Sequence, residues 1–222
     1  MRRAICGDRA CGANAMQFDE GHRNTLALIA QWRRDVRHFL TDPVDDGILM
    51  RLQAAMGYAP SVGNARPWQV IRVSDAGLRA QVRAEFLACN ADAAQAYSGD
   101  QRAAYDALKL AGLDRAPVQL AVFTDTNPGQ GHGLGRQTQP EALQQSTAMA
   151  IHQLWLAARA ENLGLGMVSI LRPTAIEALF DVPQAWVFSA YLCIGWPESR
   201  DDTPLLHRVG WQENTDHPWT LR

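Results

Sequence analysis

Three guanidiniums and one carboxylate fall within five residues at Arg33-Arg34-Asp35-Val36-Arg37, with the apolar pair Phe39-Leu40 close behind. Such a run is a poor way to build a core and a good way to hold a phosphate, because each guanidinium presents a fork of donors that keeps its charge at any physiological pH. Asp35, set among these cations, is expected to stay ionised, since nearby positive charge favours the carboxylate. Taken alone, the run reads more readily as a solvated helix end laced with its own salt bridges. Other stretches decide the matter.

The loop Ala59-Pro60-Ser61-Val62-Gly63-Asn64-Ala65-Arg66-Pro67-Trp68 is rich in turn formers and small polar side chains. Ser61, Asn64 and the backbone freed by Gly63 can donate to a flat heteroaromatic ring without steric cost, although the same loop serves as an ordinary helix-to-strand connection. Ser169 is a polar residue inside the apolar run Gly166-Met167-Val168-Ser169-Ile170, read as a short strand. The glycines of residues 127–135 fall on alternate positions, out of register with a dinucleotide G-x-G-x-x-G fingerprint. A mobile loop is expected there instead of a Rossmann turn.

The elements that must position these groups follow from periodicity and breakers. From about His22, the apolar positions Leu26, Leu28, Ile29 and Trp32 suit a helix that delivers the arginines at its C-terminal end. Asp42-Pro43 reads as an N-cap with proline at the first helical position, opening a helix whose stripe is Ile48, Leu49, Leu52, Ala55 and Met56. The strand 69–73 comes next, then a long helix from Asp75 to about Tyr97. Tyr97-Ser98-Gly99 breaks it, and residues 100–113 add a shorter helical stretch. This insert, about 97–116, has the placement of a lid over a pocket. The strand 117–123 precedes the longest helix, about Pro140 to Glu161, with Ala148, Ile151, Leu154, Trp155 and Ala158 inward. A helix at 174–180 and a strand at 186–194 complete the pattern. Residues 1 to about 20 read as a loose tail and 21–222 as one domain. The last stretch, about 197–222, reads as an arm wrapped over a partner subunit, because Trp211 and Trp219 are awkward left in water.

Composition narrows the field. With 222 residues, 47% hydrophobic and 20% charged, the chain is ordinary globular material for one sizeable core. A formal net charge of -2 gives no reason to expect nucleic acid or a membrane surface as partner. No apolar run reaches bilayer length, and Met1-Arg2-Arg3-Ala4-Ile5-Cys6 lacks the apolar segment of a secretory signal, so a cytoplasmic protein is expected. Cys6 and Cys11 could make half a metal site or a redox pair, but no second pair has zinc spacing, and reduced, unrelated thiols are expected. The six histidines form no His-x-x-x-His pair, so no metal is expected.

In this order (helix, Arg-Arg-Asp-x-Arg, helix, Ala-Pro-Ser-x-x-Asn-x-x-Pro-Trp, strand, long buried helix, Gly-x-Gly, strand) the chain resembles the FMN-dependent nitroreductase superfamily over about residues 22–212. Within it the chain is most similar to the branch that destroys its flavin. Asp35 stands where ordinary members carry Ser. The phrases Tyr105-x-x-Leu108-Lys109-Leu110-x-Gly112, Leu134-Gly135-Arg136-Gln137-Thr138-x-Pro140-Glu141 and Gly164-x-Gly166-x-Val168-Ser169-Ile170, with Ser146 and the run Gln153 to Ala160, carry the rest of the likeness.

The resemblance implies an α+β fold of three layers, a central, mostly antiparallel sheet flanked by helices, in a domain-entwined homodimer with flavin at the interface. It implies that FMNH2 is both cofactor and substrate, broken with O2 into 5,6-dimethylbenzimidazole and erythrose 4-phosphate, with a separate flavin reductase supplying it. Carried over residue by residue, Arg33 and Arg37 grip the phosphate and ribityl end with Arg34 and Val36 beside them, and Ser61, Asn64 and Ser146 line the ring. Gly166 to Val168 face the reactive edge, and Leu108 and Lys109 come down with the lid. Asp35 and Ser169 match the two catalytic side chains. Gln212, Glu213 and Asn214 stand where the family often has phosphate-binding arginines. Either Arg208 or another Arg takes their place, or FMN is held more weakly. The alternative on the same fold is an NAD(P)H-dependent nitroreductase or flavin reductase, against which Asp35 and the lid argue.

Overall fold

A computed structural model describes residues 16–108 and 112–222. Four strands form one antiparallel sheet in the spatial order β1 (Trp68–Arg72), β2 (Val118–Asp125), β4 (Trp186–Gly195), β3 (Gly164–Val168). The two central strands are apolar at nearly every position because both of their faces are covered. Val118, Val122, Ala190, Leu192 and Ile194 enter one core with α2 (Asp46–Met56) and α5 (Ala142–Ala160). Ala121, Phe123, Tyr191 and Cys193 enter the other, against Val82 and Phe86 of α3 (Ala76–Ala94) and Ile176 of α6 (Pro173–Leu179). Helices, sheet, helices: the three-layer α+β arrangement follows.

The first helix, α1, runs Glu20–Trp32 from the cap Asp19, whose carboxylate accepts the His22 N–H at 3.0 Å. Its start lies just inside the stretch expected to be loose. None of its residues is buried, and Leu26 and Leu28 are 60% and 56% exposed. The expected amphipathic stripe is there, but the described residues leave much of it exposed.

Several expectations are corrected. The cap of α2 is Asp45, which accepts the Gly47 N–H at 2.7 Å, and not Asp42. Pro43 precedes it in an extended connector, where its carbonyl accepts Trp196 Nε1 at 3.2 Å. Ala148 points out of the core; Leu143, Ala150, Ile151, Leu154 and Ala158 are the inward apolar positions of α5, with Thr147 bonded to Thr124 at 2.7 Å. Ser169 is not within a strand. Pairing of β3 with β4 ends at Val168 opposite Tyr191, and Ser169 emerges exposed one residue later.

After α3 the chain turns through Gly99, whose φ of +56° suits a residue without a Cβ, into α4 (Gly99–Ala107). The C-terminal stretch contains a helix that periodicity did not announce, α7 (Leu205–Arg208). Trp211 turns back onto its own chain, with ring centroids 5.6 Å from Tyr97 and 6.3 Å from Tyr105. Trp219 stays 97% exposed. Trp211, expected to lie on a partner, has an apolar surface from Tyr97 and Tyr105 within its own chain.

Candidate functional site

The arginine run is positioned by the end of one helix and the edge of the sheet. Arg33 closes α1 with extended backbone (φ -72°, ψ 116°), its N–H still bonded to the Ile29 carbonyl at 2.9 Å. The chain then lies beside β3 in a parallel bridge, Asp35 opposite Leu165, with the Val36 N–H on the Leu165 carbonyl at 3.0 Å. Side chains alternate along extended backbone, so residues 33, 35 and 37 share one side and residues 34 and 36 the other. Val36 packs on Gly164, and Gly166 passes so close that a Cβ there would lie 2.1 Å from the Val36 carbonyl oxygen. The Gly-x-Gly of β3 is therefore a steric requirement of this contact.

Asp35 is held from two directions. Its Oδ1 accepts the Met167 N–H at 2.9 Å and its Oδ2 accepts Arg37 Nε at 3.0 Å. The first bond puts the carboxylate against the strand two residues before Ser169, so Asp35, Arg37 and Gly166 meet along β3 and Ser169 follows just beyond its last residue. The field of Asp35 reaches inward too: burial first, and this carboxylate second, push the Cys193 thiol up to about 12. Arg37 is 13% exposed, and its Nη1 is buried without a partner, as is Nε of Arg33. Buried donors left unpaired are costly, and an oxyanion that bonded to either would remove that cost.

Arg34 is differently employed. Its terminal nitrogens donate to the backbone carbonyls of Arg33, Gln31 and Asp202, and burial with neighbouring Arg33 lowers its pKa. Arg208, on α7, is paired with Asp201 at 3.0 Å. Leu108 is half-buried at the C-terminal end of α4, its N–H on the Tyr105 carbonyl at 2.9 Å. Lys109 lies outside the described residues.

Ser61 and Asn64 sit elsewhere in the protomer. The Ser61 hydroxyl accepts the Arg66 N–H at 3.0 Å, and Asn64 takes a left-handed φ of +55° at an exposed turn. Ser146 is buried, its hydroxyl accepting the Val62 N–H at 3.0 Å and donating to the Ala142 carbonyl at 2.6 Å, so it ties this loop to the start of α5. The arginine run meets the same helix at Trp155, nine residues further on and about 13 Å along the axis at 1.5 Å per residue. One chain therefore brings Asp35, Arg37 and Gly166 together, with Ser169 two residues beyond Met167 along the chain, and leaves Ser146, with the Ser61–Asn64 loop tied to it, nearer the start of α5.

Two positioning contacts were not foreseen from sequence. Trp155, read as an inward apolar residue, donates Nε1 to the Arg34 carbonyl at 3.1 Å while Arg33 lies over its ring at 5.0 Å. The indole N–H was the available signal, since a partly buried tryptophan needs an acceptor. Glu85 of α3 takes Arg172 through paired bonds of 2.6 and 2.8 Å and also accepts the Arg172 N–H at 3.3 Å. The resulting ion pair holds the Glu85 carboxyl down at about 2 and anchors the far end of the loop that starts at Ser169. A lone acid on a helix gave no warning of it. Among the described residues no group of three or more His, Cys, Asp or Glu side chains can hold a metal.

Comparison with known proteins identifies the family of the fold. Residues 30–196 match the model of the nitroreductase family. A 5,6-dimethylbenzimidazole synthase of Rhodobacter capsulatus is 61% identical over 207 residues, 93% of this chain and all of that protein. One of Rhodospirillum rubrum is 50% identical over 92% of this chain and 97% of its own. Among solved structures, oxidised iodotyrosine deiodinase bound to FMN and 3-iodo-L-tyrosine superposes with a TM-score of 0.68 at 21% identity, covering 89% of this chain and 97% of that one. An FMN complex from Exiguobacterium sibiricum gives 0.58 at 16% identity, covering 78% and 89%. By its three-layer fold, its matched residues and its synthase-named relatives, the chain belongs to the nitroreductase family.

Proposed function

We propose that the chain fragments reduced FMN with O2 to 5,6-dimethylbenzimidazole, the lower ligand of vitamin B12, and erythrose 4-phosphate. One observation carries this reading: a carboxylate, Asp35, occupies the middle of the arginine segment, fixed between Arg37 and the Met167 amide two residues from Ser169. The relatives at 61% and 50% identity, both named for this product, support it.

The residues fit FMN. The unpaired buried donors of Arg33 and Arg37 suit its phosphate, and the absence of a Cβ at Gly166 keeps the backbone there close to the segment. FMNH2 supplies the electrons for O2 and is itself consumed as substrate. The chain supplies the rest: Asp35 moves protons at the ribityl chain, and Ser169 holds a proton near the reactive edge that Gly166 to Val168 face. Val36 locks the segment to β3, and Arg34 braces it. Leu108, at the end of α4, closes over the site with the lid and excludes water. Arg208, paired with Asp201 at 3.0 Å in a partly exposed ion pair, would take the phosphate by exchanging that partner.

A homodimer completes the site in this reading. The exposed apolar stripe of α1 and the roughly 13 Å along α5 between Ser146, which ties down the Ser61–Asn64 loop, and Trp155, where the arginine run is held, support it, because a second copy can bring its own loop to the first copy's arginines. A separate flavin reductase supplies FMNH2, and a cytoplasmic location belongs to the same reading, since reduced flavin must arrive before air consumes it. Among the described residues no helix is long and apolar enough to cross a membrane.

The purified protein given FMNH2 and air is expected to yield dimethylbenzimidazole by mass spectrometry. Steady NADPH oxidation without added reductase, with FMN recovered intact, would overturn the reading in favour of a nitro- or flavin reductase.

A further inference from the structure

We propose that Trp155 is the positioning residue that presets the phosphate-binding arginines; this rests on the flavin reading above. Two contacts at right angles carry the inference. In the plane of the indole, Nε1 holds the Arg34 carbonyl at 3.1 Å, and across its face the Arg33 guanidinium carbon stands 5.0 Å from the ring centroid. One rigid side chain on α5 thus fixes the backbone at Arg34 and the side-chain direction at Arg33. From the other side, Leu165 and Met167 of β3 hold residues 35 and 36.

A cation over an aromatic face differs from a salt bridge in what it leaves free. The attraction acts through the ring quadrupole and takes up none of the guanidinium N–H donors. Arg33 Nε is buried without a partner, so the side chain is restrained while a donor stays available. An acidic partner at the same place would order Arg33 equally well, but it would neutralise the charge that an incoming phosphate needs. Restraining a long side chain before the ligand arrives removes part of the ordering cost of binding. Arg34 adds the second half of the brace, with its terminal nitrogens on the carbonyls of Gln31, Arg33 and Asp202.

The test separates phosphate recognition from general damage to the site. Trp155→Leu removes the N–H and the ring face; Trp155→Phe removes the N–H and keeps a smaller ring face. Dissociation constants for oxidised FMN and for riboflavin, which lacks the phosphate, are measured on the full-length protein by flavin fluorescence, with a Tm for each variant. For Trp155→Leu the FMN affinity is expected to fall about tenfold while that for riboflavin changes less than about twofold, and Trp155→Phe is expected to recover about half of the logarithmic loss. Parallel weakening of both ligands, or no change in FMN binding in either variant, would overturn the role. If Trp155→Leu fails to fold, Trp155→Phe alone decides, by whether its loss falls on FMN and spares riboflavin. A wild-type protein that does not prefer FMN to riboflavin would instead defeat the flavin-phosphate reading beneath the proposal.

Discussion

The carboxylate of Asp35 has two separate duties that single substitutions can divide. One oxygen accepts the Met167 amide and the other the Arg37 guanidinium. Asp35→Asn keeps an oxygen for Met167 and loses the charge, so folding and FMN affinity are expected to stay within about threefold of wild type. Dimethylbenzimidazole formation is expected to drop at least about 100-fold, the scale of a lost acid-base group, as read by mass spectrometry. Ser169 is exposed, so Ser169→Ala is expected to cost under about 0.5 kcal/mol of stability while product formation falls comparably. Gly166 admits no such economy. A methyl group 2.1 Å from the Val36 carbonyl must force the arginine segment off the strand, and Gly166→Ala is expected to lose about 1–3 kcal/mol in chemical denaturation together with FMN binding.

Among the elements, the link between α3 and the start of α6 is the most exposed to pH. The carboxyl of Glu85 lies at about 2 in the folded protein because Arg172 favours its charged form. Its ordinary value is about 4.5. A depressed folded value stabilises the protein above the ordinary value, and that contribution is lost as pH falls from about 4.5 toward 2. Glu85→Gln is expected to lower Tm at pH 7 and to flatten the Tm-against-pH curve over that window. An unchanged slope there would dissociate the pair from stability. Because the loop anchored by Arg172 begins at Ser169, the same variant is expected to raise the share of FMNH2 that returns to intact FMN.

For the whole molecule, β2 and α5 were legible as buried elements from their apolar runs, while the three layers came from the resemblance and are borne out by cores on both faces of β2 and β4. Local signals misled where packing outweighed them. Asp42-Pro43 has the composition of a helix start, yet Val44 is buried and Pro43 accepts from Trp196, which keeps that segment extended until Asp45. Ser169 looked like a strand residue because neighbouring apolar residues continue past the last pair with β4. The placing of Asp35 and Gly166 in one site came from the family resemblance and not from local pattern; the brace through Trp155 and the pair of Glu85 with Arg172 join residues about 90 to 120 positions apart and left no trace in local pattern either. In solution the chain is expected to sediment at twice its monomer mass, and a monomeric species with full flavin affinity would remove the need for a second copy.

The parallel bridge between Asp35 and Leu165 also occupies the free margin of the outermost strand, β3. An uncovered margin invites strands from other molecules to stack on it. Loosening the anion-gripping segment to speed ligand exchange would therefore unseal the sheet, so the chain has little freedom to trade grip for turnover, and variants that free residues 34–37 should clump before they accelerate.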